Sequence, residues 1–169
     1  MTLPLILVAV AFLPMLAEAR IAAAHDRALR AMGAVEPAGD VYQLMQIAYP
    51  ACFLIMPAEA WWRGAQTGRM LASGVVVFAL AKGLKYWAIA TLGPRWTFRV
   101  LVPQGSSCVT AGPYRWLRHP NYVAVLGELI GMAMMAQAPL TGTAAVVGFG
   151  LLILARIRVE ERALGIRQT

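Results

Sequence analysis

Apolar residues form five long runs along the chain, separated by shorter stretches that hold most of the charged residues. The runs cover approximately residues 3–19, 42–62, 70–91, 122–138 and 140–155. A membrane-spanning helix needs about 20 mostly apolar residues, so the second and third runs have the length of a span. The fourth and fifth are shorter and meet at Ala138-Pro139 without an intervening charge, which predicts a tight helical hairpin.

Small residues in the first and fourth runs bear on whether the first is a membrane helix and how closely the fourth packs. Ala17-Glu18-Ala19 ends the first run like a signal-peptide cleavage site, but no basic residue precedes the run. We therefore interpret the first run as a retained membrane helix. Gly127 and Gly131 lie one helical turn apart in the fourth run, where they would let a neighbouring helix approach closely.

The composition agrees with a membrane protein. Of the 169 residues, 60% are hydrophobic and 14% are charged, whereas a soluble domain has about 25% charged residues. The mean hydropathy is +0.63. The sequence therefore predicts an all-α integral membrane bundle of about five transmembrane helices, folded as a single domain over residues 1–169. Its predicted parts are three N-terminal membrane helices, a connector, a helical hairpin and a C-terminal tail, at residues 1–91, 92–121, 122–155 and 156–169.

The positions of the basic residues predict the orientation. The net charge is +7, but the basic residues lie mostly at the ends of apolar runs and form no basic, aromatic-studded face, so nucleic acid is not an expected partner. Cytoplasmic loops of membrane proteins are enriched in Lys and Arg. One orientation, which counts Lys82 and Lys85 as cytoplasmic, leaves only Arg63 and Arg69 on the opposite side. The sequence thus predicts a bacterial inner-membrane protein whose C-terminus, connector and active site face the cytoplasm.

Several other residues are not assigned to a site. Cys52 and Cys108 have neither CxxC spacing nor a nearby His cluster, so no metal site is predicted. Gly148 and Gly150 form a GxG inside an apolar run rather than after a strand, which does not fit a Rossmann-type site. His25 is predicted to lie in an exposed loop.

The connector contains the run Gly112-Pro113-Tyr114-Arg115-Trp116-Leu117-Arg118-His119-Pro120-Asn121-Tyr122. Gly-Pro marks a turn, and Pro120 stands where a helix can begin. Arg118 and His119 would then flank a helix N-terminus, whose free N–H groups favour an anion such as a carboxylate or phosphate. The alternative is a snorkelling arginine and an interfacial belt formed by the aromatic residues of this run.

Two further features are candidates for function. Arg156 and Glu160 lie one helical turn apart directly after the fifth run, a spacing that also forms ordinary surface ion pairs. Glu128 lies inside the fourth run, where a carboxyl group costs several kcal/mol unless it is paired or faces a cavity. Glu128 is therefore a functional candidate, and the alternative is a protonated side chain that is hydrogen-bonded within the bundle.

In this order, these features resemble the signature of the isoprenylcysteine carboxyl methyltransferase family, a pattern that phospholipid methyltransferases of membranes share. The resemblance covers approximately residues 91–164. It rests on Gly112-Pro113-Tyr114, on residues 118–122, on the apolar hairpin, and on Arg156 followed by Glu160-Glu161. It implies a helical membrane enzyme that uses S-adenosylmethionine. Its non-Rossmann cofactor pocket would be formed on the cytoplasmic side by the connector and the C-terminal helix.

The resemblance also implies roles for individual residues. The cofactor-binding positions are Ser106, Ser107, Cys108, Val109, Tyr114, Arg118, His119, Pro120, Asn121, Tyr122, Glu160 and Glu161. Among these, Glu160 would take the ammonium group of the cofactor. Arg156 would face the acceptor as a substrate-binding and catalytic residue, and Glu128, from its place in the membrane, is the second catalytic candidate.

The expected reaction is methyl transfer to a lipid-like or isoprenoid acceptor whose reacting group is a carboxylate, a hydroxyl or an amine. Methyl transfer from a sulfonium is a one-step displacement, so the protein must chiefly position two reactants and exclude water. Arg156 suits a carboxylate, whereas a phenol or an amine can require Glu128 or His119 as a base. Two other functions stay open: an NADPH-dependent, sterol-type membrane reductase and a non-catalytic membrane assembly protein. Membrane lipids are expected partners, and the oligomeric state is not predicted.

Overall fold

A computed structural model of the chain describes residues 2–65, 68–101 and 109–163. These residues form five α-helices and two short 3₁₀ turns, and they contain no β-strand. The helices are α1 (Thr2–Ala31), α2 (Tyr42–Trp62), α3 (Arg69–Leu92), α4 (Pro120–Ala136) and α5 (Pro139–Ala163), and the turns are Gly93–Arg95 and Gly112–Arg115. The predicted all-α class and the five predicted helices are confirmed.

Within the described part of the chain, three helical segments are long and apolar enough to cross a membrane: Thr2–Ala31, Arg69–Arg95 and Pro139–Ala163. Between them pack α2, with 21 residues, and α4, with 17. Large apolar side chains on the three long helices point away from the bundle, as Leu13, Leu80 and Leu151 do. The protein is therefore an integral membrane bundle, and the hydrocarbon of the bilayer covers these side chains.

α1 continues well beyond residue 19, where the first apolar run was predicted to end. Its buried residues repeat at spacings of four and seven: Leu7, Ala11, Glu18, Ala22 and Leu29. That repeat keeps one face of a helix in contact with its neighbours over its whole length. The prediction that His25 lies in an exposed loop is wrong, because His25 is part of α1 and its Nδ1 donates a hydrogen bond to the carbonyl of Trp96 at 2.8 Å.

Glycines bring α3 and α4 into close contact. A Cβ on Gly131 would lie 2.7 Å from the backbone nitrogen of Phe78, and a Cβ on Gly74 would lie 2.8 Å from the carbonyl oxygen of Gly131. A Cβ on Gly127 would lie 2.9 Å from that of Ala81. No larger residue fits at these positions without moving a backbone, so the predicted close approach at Gly127 and Gly131 is confirmed.

Four charged side chains are buried where α1, α3 and α4 meet, and we call Glu18, Lys82, Lys85 and Glu128 the buried charge cluster. Lys82 Nζ donates to Glu18 Oε1 at 2.7 Å and lies 3.0 Å from Glu128 Oε2. Lys85 Nζ lies 2.7 Å from Glu18 Oε2 and 3.2 Å from Glu128 Oε1. The cluster is neutral as a whole, which lowers the cost of burying its charges. Counting the two lysines among the charges that set the orientation is therefore wrong.

Candidate active site

Gly112 shapes the turn that carries Tyr114. The φ of Gly112 is +54°, which glycine adopts readily, and a Cβ there would clash with Oγ1 of Thr91 at the end of α3. The turn therefore packs directly on α3 and leaves Tyr114 half-buried. Burial raises the pKa of the Tyr114 phenol above its usual value, and the nearby carboxylate of Glu160 raises it further.

α4 begins at Pro120, as the sequence predicts, and His119 stands immediately before it. His119 Nδ1 lies 3.7 Å from Glu160 Oε2, and its Nε2 lies 3.6 Å from Glu161 Oε1. Arg118 is largely exposed, and its Nη1 lies 3.8 Å from Glu161 Oε1. The structure thus brings the basic motif before α4 against the acidic motif near the end of α5.

The Tyr122 hydroxyl connects the two charged residues of the α5 motif. It donates a hydrogen bond to Glu160 Oε2 at 2.8 Å and accepts one from Arg156 Nε at 3.0 Å. The ring of Tyr122 also stacks on that of His119, with centroids 5.5 Å apart. Arg156 and Glu160 make no direct ion pair within the described residues, so their link runs through Tyr122.

A cavity of about 450 Å³ lies between the connector, the start of α4 and the end of α5. We call it the connector cavity, and its volume is in the range of about 300–1,000 Å³ typical of small-molecule sites. The predicted cofactor-binding residues that line it are Val109, Tyr114, Arg118, His119, Asn121, Tyr122, Glu160 and Glu161. Pro120 is buried in the first turn of α4 and does not belong to this lining. The remaining predicted positions, Ser106, Ser107 and Cys108, lie outside the described residues.

Residues 95–101 supply a wall of the connector cavity that the sequence motifs did not indicate. Trp96 is buried, and its Nε1 donates to Asn121 Oδ1 at 3.4 Å. Arg99 Nη1 donates to the two carboxylate oxygens of Glu36 at 2.8 and 3.0 Å. In the sequence, Trp96 and Arg99 are simply an aromatic residue and an arginine within a polar connector. Nothing there identifies Asn121 and Glu36 as their partners.

Arg156 is buried among groups from three parts of the fold. Its Nη2 donates to the carbonyl of Phe98 in the connector, and its Nη1 lies 3.3 Å from Oδ1 of Asp40, two residues before α2. Its Nε donates to Tyr122 of α4. The sequence did not indicate Asp40 because its partner lies near the other end of the chain.

A second cavity, of about 520 Å³, lies between α1, α2, α4 and α5, and we call it the membrane cavity. Its wall is mostly apolar and includes Phe12, Met15, Val125 and Phe149. Five residues line both cavities: Thr97, Arg99, Asn121, Tyr122 and Arg156. We call this shared wall the junction. A cavity lined by many charged side chains and a second, more apolar cavity therefore meet beside Arg156.

Glu128, the second catalytic candidate, lies in the buried charge cluster and is not part of the lining of either cavity. Its Oε2 accepts a hydrogen bond from the Tyr49 hydroxyl at 2.5 Å, and both lysines of the cluster balance its charge. Tyr49 does line the membrane cavity. These contacts favour a structural role for Glu128, since a proton from the cavity would have to reach it through Tyr49 or Lys85.

Known proteins match the chain over the region that holds this site. The sequence profile of the isoprenylcysteine carboxyl methyltransferase (ICMT) family matches residues 73–166. The uncharacterised protein YpbQ of Bacillus subtilis is 28% identical over 159 residues, which cover 94% of this chain and 95% of YpbQ. An uncharacterised protein of Haemophilus influenzae is 26% identical over 141 residues, which cover 83% of this chain and 82% of that protein.

The cobalt-zinc-cadmium resistance protein CzcN of Cupriavidus metallidurans is 31% identical over 86 residues. That alignment covers 50% of this chain and 40% of CzcN. No solved structure matches the chain.

Proposed function

This chain belongs to the isoprenylcysteine carboxyl methyltransferase family of membrane methyltransferases, and we propose that it transfers a methyl group from S-adenosylmethionine to a lipid-like acceptor at the cytoplasmic membrane face. The observation that carries the proposal is the meeting, at the junction, of a cavity lined by many charged side chains with a second, more apolar cavity. A water-soluble cofactor and an apolar acceptor need separate compartments that touch where the methyl group moves. The two cavities have that arrangement.

The residues of the connector cavity suit S-adenosylmethionine. Glu160 and Glu161 provide carboxylates for the ammonium group of the cofactor. Arg118 suits its carboxylate. Tyr114 and Tyr122 offer aromatic rings for its adenine or its positive charge. When bound, S-adenosylmethionine supplies an electrophilic methyl group on a sulfonium.

The membrane cavity suits the acceptor. Its apolar wall would hold a hydrocarbon chain, while Asn121, Tyr122 and Arg156 would orient the polar end at the junction. Leu16 of α1 lines this cavity and is largely uncovered by the rest of the bundle, which is consistent with entry from the bilayer. The contribution of these residues to the rate is then orientation and exclusion of water.

Isothermal titration of the detergent-purified protein tests the proposal and separates it from the two other functions left open by the sequence. S-adenosylhomocysteine, the product of the transfer, is expected to bind, and NADPH is expected not to bind. Binding of NADPH alone would indicate a reductase. Binding of neither ligand would indicate an assembly protein, and either result would overturn the proposal.

A further inference from the structure

All three nitrogens of Arg156 already have protein partners. Nε donates to the Tyr122 hydroxyl at 3.0 Å, Nη2 donates to the Phe98 carbonyl, and Nη1 lies 3.3 Å from Asp40 Oδ1. A carboxylate or phosphate binds an arginine best through two parallel hydrogen bonds from neighbouring nitrogens. Groups of the protein itself already occupy the neighbouring nitrogens that such a pair of hydrogen bonds would need. Arg156 is therefore poorly placed to hold an anionic acceptor.

Asp40 is fixed in this position by the backbone. Its side chain is 4% exposed, its Oδ1 accepts a hydrogen bond from the backbone N–H of Tyr42 at 3.2 Å, and its Oδ2 accepts one from that of Val100 at 3.4 Å. These donors belong to the start of α2 and to the connector. Asp40 therefore cannot leave Arg156 without disturbing both elements, and it acts as a built-in counter-ion.

The other cations that line the membrane cavity are paired as well. Arg99 donates to Glu36, and its Nε lies 3.8 Å from Asp26 Oδ2. Lys85 belongs to the neutral buried charge cluster. Among the described residues, each cation of this wall thus has an acidic partner. The cavity offers no surplus positive charge to an anionic group.

We infer that Asp40 determines acceptor specificity: by occupying Arg156, it makes the membrane cavity select a lipid-like acceptor whose polar group is an uncharged hydroxyl rather than a carboxylate or phosphate. The inference rests on the proposed function. An anion that leaves water without a counter-charge loses far more hydration energy than a neutral group of the same size. Asn121 and Tyr122 at the junction are uncharged hydrogen-bonding partners for such a group.

Native mass spectrometry of the full chain in detergent, with S-adenosylhomocysteine present, tests the inference with two probes of equal chain length, 1-dodecanol and dodecanoate. At neutral pH the wild type should bind the alcohol more tightly by about tenfold or more, the scale of one charged hydrogen bond. Equal binding, preference for dodecanoate, or binding of neither probe would overturn the inference. Absence of the S-adenosylhomocysteine adduct would instead count against the proposed function, so the two failures are distinguishable.

The variant Asp40→Asn removes the counter-ion and keeps the shape of the side chain. It should raise the affinity for dodecanoate about tenfold and leave that for dodecanol unchanged, because Arg156 then carries an unbalanced charge. An unchanged preference would overturn the inference. If this variant does not fold, the wild-type comparison still decides.

Two matched variants serve as controls. Glu59→Gln removes a carboxylate that lines neither cavity and does not contact Arg156, and it should keep the wild-type preference. A shift as large as that of Asp40→Asn would overturn the inference, because it would show a general effect of net charge. Asp40→Glu retains the charge and should also retain the preference for the alcohol, and a preference for dodecanoate in this variant would contradict a counter-ion role.

Discussion

The hydroxyl of Tyr122 on α4 lies 2.8 Å from the carboxylate of Glu160 on α5, to which it donates a hydrogen bond. The same hydroxyl accepts a hydrogen bond from Arg156. The family resemblance implies separate roles for Arg156 and Glu160, one toward the acceptor and one toward the cofactor. The shared Tyr122 hydroxyl couples the two roles. Arg156 helps to fix this hydroxyl, and the hydroxyl in turn fixes the Glu160 carboxylate in the connector cavity.

Tyr122→Phe is expected to weaken S-adenosylhomocysteine binding by about 1–2 kcal/mol, because Glu160 loses the donor that fixes it. Arg156→Ala should weaken binding through the same contact. The double variant should lose less than the sum of the two, since members of one hydrogen-bond network do not act independently. Titration calorimetry measures all three, with the exposed Arg158→Ala as control. Additive losses would contradict the coupling.

Glu128→Gln tests the buried charge cluster. It should lower the free energy of unfolding by about 3–5 kcal/mol, because two buried lysines would then share one carboxylate. Adding Lys82→Met restores the balance of charge and should recover part of the loss. Thermal unfolding in detergent, followed by circular dichroism, measures both. Unchanged stability together with a complete loss of methyl transfer would instead assign Glu128 as a base.

We predict that acid weakens the contact between the end of α1 and the connector. In this contact the Glu36 carboxylate joins Arg30 of α1 to Arg99 of the connector. Partial burial alone would raise its pKa, but hydrogen bonds from Arg30 and Arg99 lower the pKa below its ordinary value. A group with a lowered pKa stabilises the fold above its unfolded pKa, and the contribution disappears as the pH falls through the folded pKa.

Glu36→Gln should therefore lower the thermal midpoint at neutral pH. The difference from the wild type should shrink on acidification below about pH 4, near the ordinary pKa of glutamate. Thermal melts of both proteins over a series of pH values check this. A difference that stays constant at acidic pH would contradict the assigned role.

The arginines of the connector and of the last turns of α5 predict the orientation of the bundle. Arg95, Arg115, Arg158 and Arg162 lie at this end, and the positive-inside rule places them in the cytoplasm. A fluorescent protein fused after Thr169 should therefore be active, and alkaline phosphatase fused there should be inactive. An active phosphatase fusion would place the site on the opposite face.

Hydrophobic periodicity was sufficient for most of the fold. It predicted α2 with its observed bounds, Tyr42–Trp62, and the hairpin between α4 and α5. It missed the last part of α1, because that part buries only a narrow apolar face. In that part the face consists of Ala22 and Leu29, which an average over all residues does not detect.

The site was predictable where its residues are neighbours in sequence. The motif from Arg118 to Tyr122 and the acidic motif of α5 do meet. Asp40 and the buried charge cluster were missed because each depends on helices that come together only in the folded chain. A rule that every charge in an apolar run needs a partner would have linked Glu18 to Lys82 and Lys85.

The affinity of Glu160→Ala for S-adenosylhomocysteine tests most directly whether the cofactor binds in the connector cavity. The measurement is a calorimetric titration of the wild type and of this variant in detergent, with Arg158→Ala as a control on the exposed face of α5. We predict that Glu160→Ala loses about 1–3 kcal/mol of binding free energy, as expected for one charged hydrogen bond, and that Arg158→Ala binds like the wild type. A folded Glu160→Ala protein that binds S-adenosylhomocysteine with wild-type affinity would contradict the account.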